Sequence, residues 1–179
     1  MAIKQAYSAG MKFLFLIQAR LGSTRYPNKV LEPMRGDTAL LELVYDRVLQ
    51  SREATSENVF VLTSTSEKDD ALAVFMEERG ISYARGSEGN VFKRFSDFLQ
   101  GFREKPDYVI RVCCDNPFLE PEFINELTDM LVHAPFPKPD YVAHMDANGT
   151  PAMLTHYGFF AEAIKYDAFM NVDQTQLTE

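Results

Sequence analysis

Apolar residues along this chain follow two alternating rhythms. Dense short runs mark strands, and runs spaced by three and four mark helices. The first dense run, within residues 12–18 (KFLFLIQ), predicts a buried strand. A loop bearing glycine and proline extends to about Gly36. Leu40, Leu41, Val44, Tyr45 and Val48 then have helical spacing, with Asp37 as the expected cap. Residues 58–63 predict the second strand. Ser66 and Asp69 resemble a capping box ahead of a helix carrying Ala71, Leu72, Val74 and Phe75, which Gly80 ends. Residues 81–84 form a short third strand. Val91, Phe95, Phe98 and Phe102 share one helix face, read as core rather than as a stacking platform. A fourth strand covers residues 108–112. Pro121 suits the first turn of a helix whose inner face is Phe123, Leu127, Met130 and Leu131. A fifth strand at 140–144 and a last helical stretch at 157–170 complete the pattern.

Strands alternating with helices need crossover connections. That predicts an α/β chain with a mostly parallel sheet and helices on both faces. Common open orders place strand one beside strand four. Ligands of such sheets bind beyond the carboxyl ends of the strands, where the order reverses. The loops after Gln18 and after Val112 would then face each other.

Composition narrows the picture. The 179 residues fit one domain, and 46% hydrophobic content can supply its core. No run approaches the roughly 20 apolar residues needed to span a bilayer, so no membrane partner is expected. Residues 1–10 form a leader that does not read as a secretion signal, and 11–179 form the domain. A net charge of −8 argues against binding long nucleic acid. It leaves room for a small anion held by a local cationic cluster. The only cysteines, Cys113 and Cys114, are adjacent, which points to a reducing, cytoplasmic setting and to space-filling thiols. His133, His144 and His156 have no metal-ligand spacing.

Two loops carry candidate chemistry. The first holds Arg20, Arg25 and Lys29 with Gly22, Ser23 and Thr24. Backbone N–H groups and hydroxyls can bind phosphate oxygens, arginine can grip them with two donors, and lysine adds a point charge. The second holds Asp115, just past a buried strand. Mg²⁺ takes one or two carboxylates together with phosphate oxygens and water. Read singly, the first is as compatible with a solvated polar loop, and Asp115 with a turn cap before Asn116-Pro117. Together they suggest Mg²⁺-nucleotide chemistry.

The run Gln18 to Leu31 closely resembles the opening motif of the cytidylyltransferases that activate acidic sugars, the acylneuraminate and 3-deoxy-manno-octulosonate enzymes. The branch related to the spore-coat polysaccharide synthesis protein F is the nearest in pattern. Four later passages resemble that branch in the same order: Arg85 to Val91, Arg111 to Pro121, Asp140 to Val142, and Gly149 to Pro151 with His156 to Glu162. The resemblance implies a three-layer α/β/α, Rossmann-like nucleotidyltransferase fold and transfer of CMP from CTP to a sugar acid, with pyrophosphate released. It implies that Arg20 and Lys29 contact the triphosphate, that Ser23 and Arg25 shape their loop, and that Asp115 binds Mg²⁺. Gln18, Ala19 and Gly22 would line the nucleotide site, and Thr63, Arg85 and Ser87 would lie near the base. At position 113 the octulosonate enzymes often carry a glutamine that helps read the base. Here it is Cys113, a weak hydrogen-bonding group, which leaves the choice of base open. Family members continue several tens of residues beyond position 179, with a second metal-binding aspartate and homodimer contacts. Two other functions fit the residues less fully: a glycosyltransferase using a preformed nucleotide sugar, although the chain has no Asp-x-Asp motif, and a non-catalytic nucleotide-binding protein.

Overall fold

The computed structural model describes residues 10–22, 26–155 and 157–172. Strand β1 (Phe13–Gln18) is buried up to its last residue. Its unbroken apolar run reflects a strand covered on both faces. A small hairpin follows, β2 (Pro33–Arg35) with β3 (Thr38–Ala39), turning at Gly36, whose φ of 58° favours glycine. The sequence pattern predicts a plain loop here and a helix capped by Asp37. Pairing of residues 38–39 with β2 moves the start of α1 (Leu40–Gln50) instead, and leaves Asp37 in the hairpin turn. Ala39 takes the cap position, and its N–H donates to Glu42 Oε2 at 2.9 Å.

Strand β4 (Val59–Ser64) leads through a 3-10 turn (Glu67–Asp69) into α2 (Asp70–Glu78), and Gly80 follows with φ 63°. The expected capping box is absent, because Ser66 makes no side-chain cap bond and the Asp69 carboxylate is used elsewhere. β5 (Tyr83–Gly86), α3 (Val91–Gly101) and β6 (Tyr108–Cys113) come next. Asn90 caps α3 through Oδ1, which accepts from Lys93 N at 2.7 Å. Pro121 opens α4 (Pro121–His133). Its buried residues are Ile124, Leu127, Thr128 and Leu131, while the expected Phe123 is half-buried and Met130 faces solvent. The observed set has i, i+3, i+4, i+7 spacing, a truer helical stripe than the apolar residues alone suggested.

The largest correction falls near the end. After β7 (Tyr141–Ala143), the stretch expected to be helical contains strand β8 (Ala161–Lys165), followed by the short helix α5 (Tyr166–Met170). Alanine and glutamate favour helix as isolated residues. Here Ala161 and Ala163 press into one sheet face, and five register pairs to β6 satisfy the backbone. Tertiary pairing outweighs local propensity.

The six strands order as β5-β4-β1-β6-β8-β7, parallel except for β8, which runs antiparallel to both neighbours. β1 lies between β4 and β6, so the order reverses at the β1–β6 pair, as expected. One face buries Phe13, Phe15, Ile17, Val61 and Ile110 beneath α1, α2 and α4. The other buries Leu14, Leu16, Leu62 and Val109 beneath α3 and α5, through Phe95, Leu99 and Phe169. This is the three-layer α/β/α arrangement. Phe92 stacks on Phe169, and Phe98 and Phe102 pack on Phe60, so the phenylalanines belong to the core. Among the described residues no helix is long and apolar enough to cross a membrane.

Candidate functional site at the β1–β6 edge

Two loops leave the sheet where its strand order reverses. The first is anchored from below. Ala19 N donates to Leu62 O at 3.1 Å, Leu21 N to Asp69 Oδ1 at 2.7 Å, and Asn28 N to Leu21 O at 3.1 Å. Ala19, Leu21 and Val30 are buried, which leaves Arg20 and Gly22 facing outward. A Cβ at Gly22 would meet open space, so packing does not demand glycine there. Asn28 adopts the left-handed conformation, with φ 60°, and the 3-10 turn Lys29–Leu31 follows. Ser23 and Arg25 lie outside the described residues.

The second loop begins as Cys114 N donates to Gln18 O at 2.9 Å, extending the pairing past β6. Arg47 from α1 holds the loop from below, donating to Pro117 O at 3.2 Å and Leu119 O at 2.7 Å and pairing with Glu120 at 2.9 Å. Asn116 Nδ2 donates to Phe160 O at 2.8 Å, and Phe118 N to Gly158 O at 2.7 Å. A Cβ on Gly158 would sit 2.7 Å from Pro117 Cδ, so this close approach needs glycine. These ties hold Asp115 half-exposed at the rim. Lys29 Nζ donates to Asp115 Oδ2 at 2.9 Å, joining residues 86 apart in sequence. An exposed pair of this kind contributes roughly 0–1 kcal/mol to folding, so stability is not a sufficient reason for it.

Thr63, Arg85 and Ser87 gather on the β4–β5 side, apart from the Lys29–Asp115 pair. Arg85 spends its donors on the loop after β4: Nε on Ser64 O at 2.9 Å, and Nη2 on Ser66 O at 2.9 Å and Asp70 Oδ1 at 2.6 Å. Ser87 Oγ accepts from Asn90 N at 3.2 Å. Thr63 is fully buried, and among the described residues its hydroxyl has no partner.

Several side chains take roles here that no local sequence pattern marks. Asp69 is buried and binds both Leu21 N and the Ser64 hydroxyl, bracing the Arg20 loop against β4. Arg94 of α3 is a buried cation. Its Nε donates to Ser87 O at 2.9 Å and its Nη2 to Glu88 O at 3.3 Å, while Nη1 is buried with no partner among the described residues. Burial holds its guanidinium below the ordinary value, and Asp69 works against that shift. On the same sheet face, Arg111 pairs with buried Glu162, which also accepts from Tyr141 OH at 2.6 Å. Burial acts against the Arg111 charge, but Cys113 and Glu162 outweigh it and the net shift is upward. Burial pushes the Cys113 and Cys114 thiols up, which fits space-filling residues rather than nucleophiles. An arginine facing a glutamate across neighbouring strands leaves no local pattern, because the two are 51 residues apart.

Among the described residues no group of three or more His, Cys, Asp or Glu side chains could hold a metal. Clefts of about 450 and 420 Å³ open near Met11, Pro106 and Tyr166, at the amino ends of the parallel strands. They lie away from Lys29 and Asp115. We place the candidate site at the carboxyl edge instead, where charge and topology converge.

Residues 14–157 match the profile of the cytidylyltransferase family. The chain is 34% identical over 169 residues to the spore coat polysaccharide biosynthesis protein SpsF of Bacillus subtilis, covering 93% of this chain and 64% of that protein. It is 29% identical over 130 residues to the 3-deoxy-manno-octulosonate cytidylyltransferase of Aeromonas salmonicida, covering 71% and 49%. The chain thus spans less than two thirds of either relative. A solved cytidylyltransferase structure from Leptospira borgpetersenii superposes with a TM-score of 0.78 at 25% identity, over 94% of this chain and 66% of that one.

Proposed function

Because this chain belongs to the cytidylyltransferase family, in its SpsF-like branch, we propose that it transfers CMP from CTP to a sugar acid. Pyrophosphate is the second product, and surface polysaccharide synthesis is the use suggested by the name of the Bacillus subtilis relative. The carrying observation is the Lys29–Asp115 pair at the reversal point of the sheet. A cation from the first loop and a carboxylate from the second meet where ligands of open α/β sheets bind.

In this reading Arg20 and Lys29 bind the triphosphate, with Gly22, Ser23 and Arg25 completing the loop around it. Gln18 and Ala19 form its floor, Cys113 lines it, and Thr63, Arg85 and Ser87 lie toward the base. Asp115 suits Mg²⁺: it is an exposed hard-oxygen donor beside a phosphate-binding loop, and a single carboxylate suffices when phosphate oxygens and water complete the shell. Bound there, Mg²⁺ would offset phosphate charge. In the free chain Lys29 and Asp115 neutralise each other. With nucleotide present Lys29 would turn to a phosphate oxygen, freeing the Asp115 carboxylate, the residue that would hold Mg²⁺. The acceptor hydroxyl then attacks the α-phosphorus and gives up its proton to solvent, the bond to pyrophosphate breaks, and Arg20 and Lys29 hold the leaving charge. The protein's contribution is positioning and electrostatics.

CTP-dependent pyrophosphate release with a panel of sugar acids tests this reading. Lys29→Met and Asp115→Ala should each lower the rate by about 100-fold or more, with little change in melting temperature because both side chains are partly exposed. An undiminished rate in both variants would sink the assignment.

A further inference from the structure

On the α3–α5 face, the amino half of the sheet is covered and the carboxyl half is polar. Gln18, Cys113, Arg111, Glu162 and Tyr141 follow one another there across β1, β6, β8 and β7, each on the face shared by Leu16, Val109 and Ile164. Arg111 donates to Gln18, Cys113 and Glu162, and Tyr141 donates to Glu162, so the five side chains form one hydrogen-bonded row. Tyr141 OH donates to Glu162 Oε2 at 2.6 Å, Arg111 Nη1 donates to Glu162 Oε1, and Arg111 Nη2 donates to Gln18 Oε1 at 3.0 Å. Glu162 is almost fully buried, at 2% exposure.

The chain of bonds determines which way the Gln18 amide points. A guanidinium carries donors only, so the Gln18 atom facing Arg111 must be the carbonyl oxygen. Nε2 therefore points away from Arg111, on a half-buried side chain, and among the described residues it donates to none. A free glutamine side chain can flip and present either a donor or an acceptor. This one cannot flip without placing its NH₂ against a guanidinium whose own position is fixed by a buried carboxylate. Burial and the charge and hydrogen bond of Glu162 push the Tyr141 phenol up, so it stays a donor.

Resting on the CTP reading above, we propose that Tyr141, Glu162 and Arg111 act as positioning residues that lock Gln18 as a fixed N–H donor, and that this donor selects cytosine over uracil. Cytosine presents an unprotonated ring nitrogen at N3, beside its O2 carbonyl, and can accept from Nε2. Uracil carries a proton at N3, so a fixed donor meets a donor. A glutamine free to rotate would accept from uracil by flipping, and the lock removes that option. Gln18 is also two residues before Arg20, so the base contact and the phosphate contact come from one rigid strand end.

Paired binding measurements with CTP and UTP, with Mg²⁺ present, test this on the wild-type chain and on Gln18→Met, Arg111→Met, Arg111→Lys and Tyr141→Phe, each confirmed as folded by its cooperative melt. Wild type should favour CTP. Gln18→Met should weaken CTP about tenfold and UTP little, since one hydrogen bond is lost. Arg111→Met should lower the CTP-to-UTP ratio by a similar factor with UTP binding held or improved, because Gln18 is then free to flip. Arg111→Lys, which can still donate to both oxygens, should restore most of the preference, and Tyr141→Phe should give an intermediate loss. If Arg111→Met does not fold, Gln18→Met alone decides. A parallel fall for both nucleotides, or an unchanged ratio in Gln18→Met, overturns the inference while the CTP reading stands. Equal wild-type affinity for CTP and UTP overturns it too. Failure of wild type to bind CTP at all overturns the proposed function and this inference with it.

Discussion

Thr63 shows how one residue can be misplaced for folding and still informative. It is fully buried at the end of β4, and its hydroxyl finds no partner among the described residues. An unsatisfied buried hydroxyl costs about 1–3 kcal/mol. Thr63→Val keeps the shape and removes the burden, so it should be neutral or should stabilise by up to about 1 kcal/mol, read as a raised urea midpoint. A lower midpoint would mean that the hydroxyl already has a partner. Asp69, six residues on, is the opposite case. Its buried carboxylate is used by Leu21 N and Ser64, and it ties the loop after β1 to the loop after β4. Arg94 lies between these cases, with two of its nitrogens committed to the 87–88 backbone and the third unpaired among the described residues.

At the scale of elements, the site depends on loops held by their neighbours. The Asp115 loop owes its position to Arg47 below and to the 158–160 segment beside it. Gly158 allows that second contact. Gly158→Ala would bring Cβ to 2.7 Å from Pro117 Cδ, with Asp115 O at 3.3 Å behind it. One side must move, at a cost of about 1–3 kcal/mol. The expected result is a lower melting temperature together with weaker nucleotide binding, because the displaced loop carries Asp115. A variant that melts like wild type and binds as tightly would show that the contact is not needed. The β6–β8 pairing works in the same way on the other flank. It converts a helix-prone stretch into a strand and thereby brings Glu162 to Arg111.

For the molecule as a whole, the titrating groups point to alkaline sensitivity. Burial raises the thiols of Cys113 and Cys114 and the phenols of Tyr45, Tyr108 and Tyr141. A folded-state pKa above the unfolded value means that the native state holds its proton longer. That stability is fully present below the unfolded pKa and is lost as pH rises through and beyond it. The unfolded values are 9.0 for the thiols and 10.0 for the phenols. The urea midpoint should therefore be flat near pH 7–8 and fall from about pH 9 upward. A flat midpoint to pH 10.5 would contradict the burial of these groups.

What the chain determined by itself was its rhythm and its charged loops. Strands β1, β4 and β6 were legible because burial on both faces demands continuous apolar runs. α1, α3 and most of α4 were legible because one buried stripe recurs at helical spacing. Arg20, Lys29 and Asp115 stood out only in combination and through the resemblance of their loops to cytidylyltransferases, since each loop alone has an ordinary structural reading. β8 was hidden, since its alanines and glutamate favour helix until β6 supplies a partner for their backbone. The partners of Asp69, of Arg94 and within the Tyr141–Glu162–Arg111–Gln18 chain were equally hidden, although Gln18 itself lies in the nucleotide-site motif. Each is an ordinary polar residue until folding removes water and leaves it one partner, from a strand or loop distant in sequence. Tertiary structure alone decided those pairings, because the free energy of a buried polar group depends on which groups surround it.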